Sequence, residues 1–126
     1  MSTPSSEYRA EGSPLLQAGV RCYNAPGQLG LDDEGIPFKD ARQQLHAAFL
    51  NVEKNLIAAG AKNGWKNVYK CVAYHSPDLS EERLGIYAGL IREFCGANRP
   101  SQTSVTVPEL WQGAYIEITV EGIIPA

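Results

Sequence analysis

The order of polar and apolar residues predicts an α+β domain in which two helices pack on one face of a mixed β-sheet. Two stretches with helical periodicity are interspersed with several β-rich stretches, so helices and strands should form separate layers. A length of 126 residues is typical of one domain, and 44% hydrophobic with 20% charged residues is typical of a globular protein. We therefore expect a single domain over residues 1–126, with residues 1–8 as a flexible tail.

The N-terminal part of the chain is predicted to be extended and to contain two turns. Apolar residues at 13–17 and 20–25 flank an Ala-Gly pair, which indicates a strand hairpin. Residues 26–30 contain one proline and two glycines, so the second strand should bend or end irregularly there. Residues 32–35 are polar and end in glycine, which predicts a turn.

Two amphipathic helices are predicted, over residues 40–59 and 80–95. Gly60 stands where a glycine would stop the first helix, and Ser80 is a natural N-cap for the second. The apolar stripe of the first helix consists of Leu45, Phe49, Val52 and Leu56. That of the second consists of Leu84, Tyr87, Ile91 and Phe94.

Three later strands are predicted, over residues 67–75, 103–107 and 115–123. The first alternates, so one face would carry Val68, Lys70, Val72 and Tyr74 and the other Tyr69, Cys71, Ala73 and His75. Both of its faces should be partly buried. With the helices on one side, the second sheet face needs a cover, which favours burial of sheet against sheet between subunits.

Charge and hydropathy argue against two classes of partner. Eleven basic and fourteen acidic residues give a net charge of −3, and the basic residues are scattered singly, so nucleic-acid binding is not expected. No apolar run approaches the roughly 18 residues of a membrane span, so no membrane association is expected. The first residues lack the pattern of a secretory signal, and the chain is predicted to be cytoplasmic.

Cysteine and histidine spacing predicts neither disulfides nor a metal site. Cys22, Cys71 and Cys95 are odd in number and lack CxxC spacing, which favours three reduced thiols, at least two of them buried, over a reactive thiol. His46 and His75 belong to no Cys/His cluster, so no zinc or other metal is expected. A surface or capping role is predicted for His75 rather than catalysis.

A series of short motifs runs from residue 13 to residue 123 and resembles the Rid family, the YjgF-like reactive intermediate deaminases. Ser-Pro-Leu-Leu-Gln at 13–17 stands where the family has Gly-Pro-Tyr-x-Gln, and Gly-Gln-Leu at 27–29 where it has Ser-Gly-Gln-Ile. Pro-Ser-Gln-Thr-Ser at 100–104 and Ile-Glu-Ile at 116–118 match its C-terminal signature. The order and spacing of these pieces carry the resemblance.

The resemblance implies a homotrimer of chorismate-mutase-like subunits, with the sheets closing around a barrel-like core and the helices outside. It also implies ligand pockets between neighbouring subunits. Deaminase members of the family hydrolyse enamines or imines to 2-oxo acids and ammonia without a cofactor. In them an arginine grips the substrate carboxylate, a glutamate orients water, and the neighbouring subunit supplies a tyrosine.

Carried over residue by residue, most of these groups are changed. The arginine position falls on Gln102, the tyrosine position on Leu15, and the cysteine beside the arginine on Ser104, whereas the glutamate is kept as Glu117. Glutamine has no charge and no guanidinium group, so it cannot bind a carboxylate in the bidentate way that arginine does. Activity on 2-imino acids is therefore expected to be weak or absent.

Several residues keep alternative interpretations. Glu117 lies on the opposite strand face from its neighbours and is either an outward carboxylate or, in a subunit cleft, a general acid or base. Gln102 is either a ligand contact or a strand-end hydrogen bonder, and Trp111 either roofs a pocket or anchors a core or interface. Gly27 either keeps backbone close to a ligand or permits an irregular turn.

Two arginines elsewhere in the chain are candidates to replace the missing cation. They are Arg99 and Arg21.

Three functions remain open from the sequence. The first is a cofactor-independent enzyme that uses Glu117 for hydrolysis or proton transfer on a small imine-like or other weakly polar metabolite. The second is a trimer that binds a ligand without turning it over. The third is a ribonuclease or translation inhibitor, a label that some members of the family carry, which the acidic charge balance disfavours.

Overall fold

The computed structural model describes residues 21–125, which form a four-stranded mixed sheet with two long helices on one face. The elements are β1 Arg21–Gln28, α1 Ala41–Ala58, β2 Val68–His75, α2 Glu81–Cys95, β3 Ser101–Thr106 and β4 Ile116–Ile124. Short 3₁₀ turns lie at Gly64–Asn67 and Trp111–Gly113. The predicted α+β class is confirmed, whereas residues 1–8 and the strand at 13–17 lie outside the described residues.

The strand order in the sheet is β1-β4-β2-β3. β4 runs antiparallel to both β1 and β2, and β3 runs parallel to β2. A parallel pair needs a crossover connection, and α2 provides it. β3 therefore forms one edge of this sheet, and every residue from Ser101 to Thr106 is exposed.

Helix α1 follows the sequence prediction closely. The Asp40 carboxylate caps it by accepting from the Gln43 N–H at 2.9 Å. After the helix, Gly60 has φ of +107°, a conformation that favours glycine and turns the chain away. The predicted apolar stripe is fully buried against the sheet: Leu45, Phe49, Val52 and Leu56.

Helix α2 is capped as predicted, but its buried face differs from the predicted stripe. Ser80 Oγ accepts from the Arg83 N–H at 3.1 Å. Leu84 is 39% exposed, so its assignment to the apolar stripe is wrong. Arg83 is buried instead, because its guanidinium donates to Ser76 and Asp78 at the start of the connection from β2.

An aromatic cluster joins the helices to the sheet. Phe49 stacks on Trp65 with ring centroids 4.7 Å apart, and neither side chain is exposed. The Trp65 indole N–H donates to the Phe49 carbonyl at 2.9 Å, so burying this polar group leaves nothing unpaired. Phe94 and Tyr87 bring α2 into the same cluster through contacts with Phe49.

The two faces of the sheet differ in cover. On β2, Cys71, Ala73 and His75 are buried beneath the helices, while Val72 and Tyr74 are half-buried on the other face. The register between β2 and β4 shifts between Val68 and Lys70, so Val68 joins the buried side and the prediction that it shares a face with Lys70 is wrong. Within residues 21–125, no helix covers the second face, which we call the open face.

The three cysteines are free thiols. Cys71 and Cys95 are buried and Cys22 is half-buried, so the prediction of at least two buried thiols is confirmed. No helix in the described part of the chain is long and apolar enough to cross a membrane.

Candidate functional site

An irregularity in β1 brings Gly27 against the Glu117 side chain. Pairing with β4 is regular as far as Ala25, opposite Val120, and resumes at Gln28, opposite Ile118. A Cβ atom on Gly27 would lie 2.1 Å from Glu117 Oε2. The sequence prediction of an irregular strand end is confirmed, and the Glu117 carboxylate occupies the space that a side chain at position 27 would need.

Glu117 lies on the open face of the sheet, half-buried, and is paired in register with Tyr74 of β2. Its neighbours Ile116 and Ile118 point to the helices and are fully buried. The predicted alternation is therefore confirmed.

Gln102 and Ser104 lie on the opposite face of the sheet from Glu117. In the parallel pair of β2 and β3, Gln102 is opposite Cys71 and Ser104 is opposite Ala73. Residues paired across neighbouring strands point to the same face, which for Cys71 and Ala73 is the helix side. One chain therefore does not bring Gln102 and Ser104 together with Glu117.

The other sequence-derived candidates lie apart from Glu117. Arg99 is exposed and donates to the backbone carbonyls of Gly96 and Asn98 just after α2. Arg21 begins β1, at the opposite end of that strand from Gly27. Trp111 is 52% exposed in its 3₁₀ turn, so it is not a core anchor of this chain, and Leu15 lies outside the described residues.

His75 is fully buried, so the predicted surface or capping role is wrong. Its Nε2 lies 3.3 Å from Ser104 Oγ, and its ring meets the edge of Tyr87 with centroids 5.6 Å apart. Burial, and secondarily the positive charge of Arg83, lowers the pKa of His75, which keeps the ring neutral at neutral pH. Its place in the alternation, two residues after buried Ala73, was the signal for burial that the sequence offered.

Tyr87 and Cys71 complete the polar group around His75. The Tyr87 hydroxyl lies 3.5 Å from Cys71 Sγ. Burial raises the pKa of the Cys71 thiol to about 11, and it also raises the pKa of Tyr87. Cys71 is therefore protonated at neutral pH and is not a nucleophile.

Arg83 is anchored at the end of β2 by a compact network. Its Nη2 donates to Ser76 Oγ at 3.0 Å and to the Ser76 carbonyl at 3.3 Å, and its Nη1 donates to Asp78 at 3.2 Å. Its guanidinium also lies 5.0 Å above the Tyr115 ring. The hydrogen bond from Ser76 Oγ, and secondarily the hydrogen bond and the positive charge of Arg83, lower the pKa of Asp78.

Residues 21–125 contain no cluster of three or more His, Cys, Asp or Glu side chains that could hold a metal ion. The surface depressions of this part of the chain are shallow. One of about 180 Å³ lies on the open face and is lined in part by Val72 and Thr119. Another of about 190 Å³ lies between the helices near Arg42 and Ser80. Neither contains Glu117 or Gln102.

Comparison with known proteins agrees with this fold. The chain is similar over 90% of its length to 90% of the chain of the structural-genomics protein YJGH, with 25% identity and a TM-score of 0.72. It is similar over 83% of its length to 80% of RidA from the Antarctic bacterium Psychrobacter sp., with 21% identity and a TM-score of 0.69. It is also similar over 81% of its length to 80% of E. coli TdcF with bound serine, with 17% identity and a TM-score of 0.70.

A search of curated proteins finds none that matches the chain. The sequence profile of a family described as endoribonuclease L-PSP matches residues 13–124, which is most of the chain. The motifs, the fold and this match agree, and the chain belongs to the endoribonuclease L-PSP family, the Rid or YjgF-like proteins.

Proposed function

We propose that the chain forms a homotrimer that binds a small, weakly polar metabolite in a cleft between subunits, with Glu117 as the proton-transfer group. The observation that carries this proposal is the contact between Gly27 and the Glu117 carboxylate. Glycine has no side chain, so it leaves room for one carboxylate oxygen. Such room is expected where catalysis requires the carboxylate to be held in one position.

The separation of the candidate residues by face supports a site between subunits. Glu117 lies on the open face, whereas Gln102 and Ser104 lie on the helix side of the edge strand β3. A ligand that touches both sets therefore needs two chains, with the edge strand of one subunit beside the open face of the next. The half-buried Val72 and Tyr74 on the open face favour such packing. Leu15 and Trp111 are proposed to line the same cleft.

The chemistry proposed for Glu117 is hydrolysis of a carbon–nitrogen double bond. The carboxylate accepts a proton from water while the water oxygen bonds to the imine carbon. That proton then passes to the nitrogen, which gives a carbinolamine. Glu117 next takes the hydroxyl proton of this intermediate and passes it to the same nitrogen, so that the carbon–nitrogen bond breaks as the carbonyl forms and ammonia leaves. These steps need no oxidant, reductant or cofactor.

The uncharged Gln102 narrows the proposed substrate class. TdcF, the relative with bound serine, holds an amino acid with a carboxylate. Glutamine at position 102 supplies hydrogen bonds but no positive charge, and a charged anchor contributes about 1.5–3 kcal/mol. We therefore propose a neutral or weakly polar imine or enamine rather than a 2-imino acid.

The test compares two glutamates on the same face of β4. Small imines are generated in solution by an amine oxidase, and their hydrolysis is followed by competition with semicarbazide. We expect Glu117→Gln to lower turnover by roughly 10²-fold while the trimer persists. Glu121→Gln, the matched control four residues along the strand, should leave turnover unchanged.

A binding protein without turnover is the second candidate, and the uncharged Gln102 favours it because the carboxylate anchor of the deaminases is absent. Ligands for either function would be found by thermal shift. Turnover that is equal in Glu117→Gln and in the unmodified protein would exclude Glu117 as the proton-transfer group. Hydrolysis by the unmodified protein no faster than in its absence would exclude the catalytic proposal and leave the binding protein.

A further inference from the structure

We propose that Arg83, His75 and Ser104 form a relay that holds the Ser104 hydroxyl as a donor toward a ligand oxygen atom. In this relay the charge of Arg83 acts on the His75 ring, and the ring is hydrogen-bonded to Ser104. This inference rests on the proposed function, because Ser104 is assigned there to the ligand cleft. His75 is a positioning residue in the relay, since it acts on the ligand through Ser104. The ligand class is one that presents an uncharged carbonyl oxygen at this point.

The contact between His75 and Ser104 joins a buried ring to an exposed hydroxyl. His75 Nε2 lies 3.3 Å from Ser104 Oγ across the parallel pair of β2 and β3. The ring is fully buried and packed edge-on against Tyr87, whereas Ser104 is exposed at the sheet edge. The ring therefore cannot touch a ligand in the cleft, but the hydroxyl can.

The tautomer of His75 decides which way the Ser104 hydroxyl points. The lowered pKa of His75 means that the ring carries one hydrogen at neutral pH, on Nδ1 or on Nε2. If Nδ1 carried it, Ser104 would donate to Nε2 and could only accept from a ligand. If Nε2 carries it, Ser104 accepts from His75, and its own hydrogen can turn toward the ligand or toward the Tyr87 hydroxyl.

Two unpaired buried atoms favour the second arrangement. In the described part of the chain, His75 Nδ1 and Arg83 Nε are the buried side-chain polar atoms without a hydrogen-bond partner. Arg83 Nε can only donate, so a hydrogen on Nδ1 would leave two buried donors without an acceptor. A lone pair on Nδ1 instead presents negative potential to the neighbouring cation.

Hydrogen bonds hold the positively charged Arg83 guanidinium in a fixed position at the end of β2. Ser76, which follows His75 in the chain, binds Arg83 Nη2 through both its carbonyl and its hydroxyl. Asp78 binds Nη1, but its side chain is 68% exposed, so water screens much of its charge. The buried cation therefore acts on His75, and through it strengthens Ser104 as a donor.

The tautomer can be measured without changing either residue of the contact. The chain has two histidines, so a long-range ¹H–¹⁵N correlation spectrum contains two rings, and His46→Gln identifies the His75 signals. We expect Nε2 to have the ¹⁵N chemical shift of a nitrogen that carries a hydrogen, and Nδ1 to have that of a nitrogen without one. The reverse assignment would overturn the relay but leave the Glu117 proposal untouched.

The direction of Ser104 is tested with two small probes of similar size. Acetone offers an uncharged carbonyl acceptor, and isopropylammonium offers only donors. We expect acetone to shift the His75 Nε2 resonance and Ser104→Ala to abolish that shift. His75→Ala should weaken acetone binding about 5–10-fold, and His75→Gln, whose amide can replace the Nε2–H donor, should restore it. A resonance that acetone leaves in place, or that isopropylammonium shifts equally, would refute the proposal.

Discussion

Replacing Gly27 by alanine should separate the positioning of Glu117 from the stability of the fold. The added Cβ would lie 2.1 Å from Glu117 Oε2, 3.0 Å from its Cδ and 3.2 Å from its Cγ. Cβ atoms do not approach other heavy atoms closer than 3.0 Å, so the carboxylate must move by about 1 Å. Misplacing a reacting group by that distance costs about 10²-fold in rate.

The effect of Gly27→Ala on stability should be small, because two contributions oppose each other. Moving the end of a flexible, half-buried side chain off its preferred rotamer costs about 0.5–1.5 kcal/mol. Removing glycine freedom from the unfolded chain contributes about 0.4–1 kcal/mol of stability. Urea denaturation should therefore give a free energy of unfolding within about 1 kcal/mol of the unmodified protein.

Two comparisons make the result decisive. Gly30→Ala places a Cβ 1.9 Å from the Gln44 backbone oxygen in α1, which cannot move aside, so this variant should be clearly destabilised, by about 1–3 kcal/mol or more. Adding Gly27→Ala to Glu117→Gln should lower turnover no further, because the carboxylate is already gone. Full turnover in Gly27→Ala would show that the carboxylate position does not matter and would refute the argument.

Three further predictions concern other parts of the molecule. Gly85→Ala, inside α2 with nothing within 4 Å of the new Cβ, should raise the free energy of unfolding by about 0.5–1 kcal/mol in urea. Gln102→Arg should raise activity on 2-iminopropionate, measured by semicarbazide competition, because it returns the carboxylate anchor. Since the pKa of His75 is lowered, the unfolded chain binds its proton first, so stability should fall as pH drops below about 6.5, and less so in His75→Gln. A pH dependence identical in both proteins, or an unchanged imine rate in Gln102→Arg, would contradict the corresponding argument.

The helices and their ends could be predicted because local rules decide them. The stripe of α1 has strict helical spacing, and capping side chains stand before both helices, at Asp40 and Ser80. The prediction that Leu84 is buried was wrong. Arg83 is buried instead because it binds Ser76 and Asp78, which lie in the connection from β2. No periodicity within a helix contains information about such partners.

The strands were predicted less completely because register is a property of pairs. The alternation of β2 was correct from Lys70 onward and wrong at Val68 and Tyr69, where an irregularity against β4 exchanges the faces. The burial of His75 was available from its alternation with Cys71 and Ala73. Its polar ring and the following Ser-Pro turn outweighed that pattern, because the sequence does not show that Ser104 on β3 provides a partner for Nε2.

The candidate residues of the site could be named from the sequence, but their arrangement in the sheet could not. Motif order identified Glu117, Gln102 and Ser104, yet nothing in that order says that the last two lie on the other face of the sheet from the first. That fact has a functional consequence under the proposed trimer: each cleft combines the carboxylate of one subunit with the edge strand of the next. A trimer with one intact cleft can then be built from two impaired variants, one altered at Glu117 and one at Ser104. A site within one chain could never be rescued in this way.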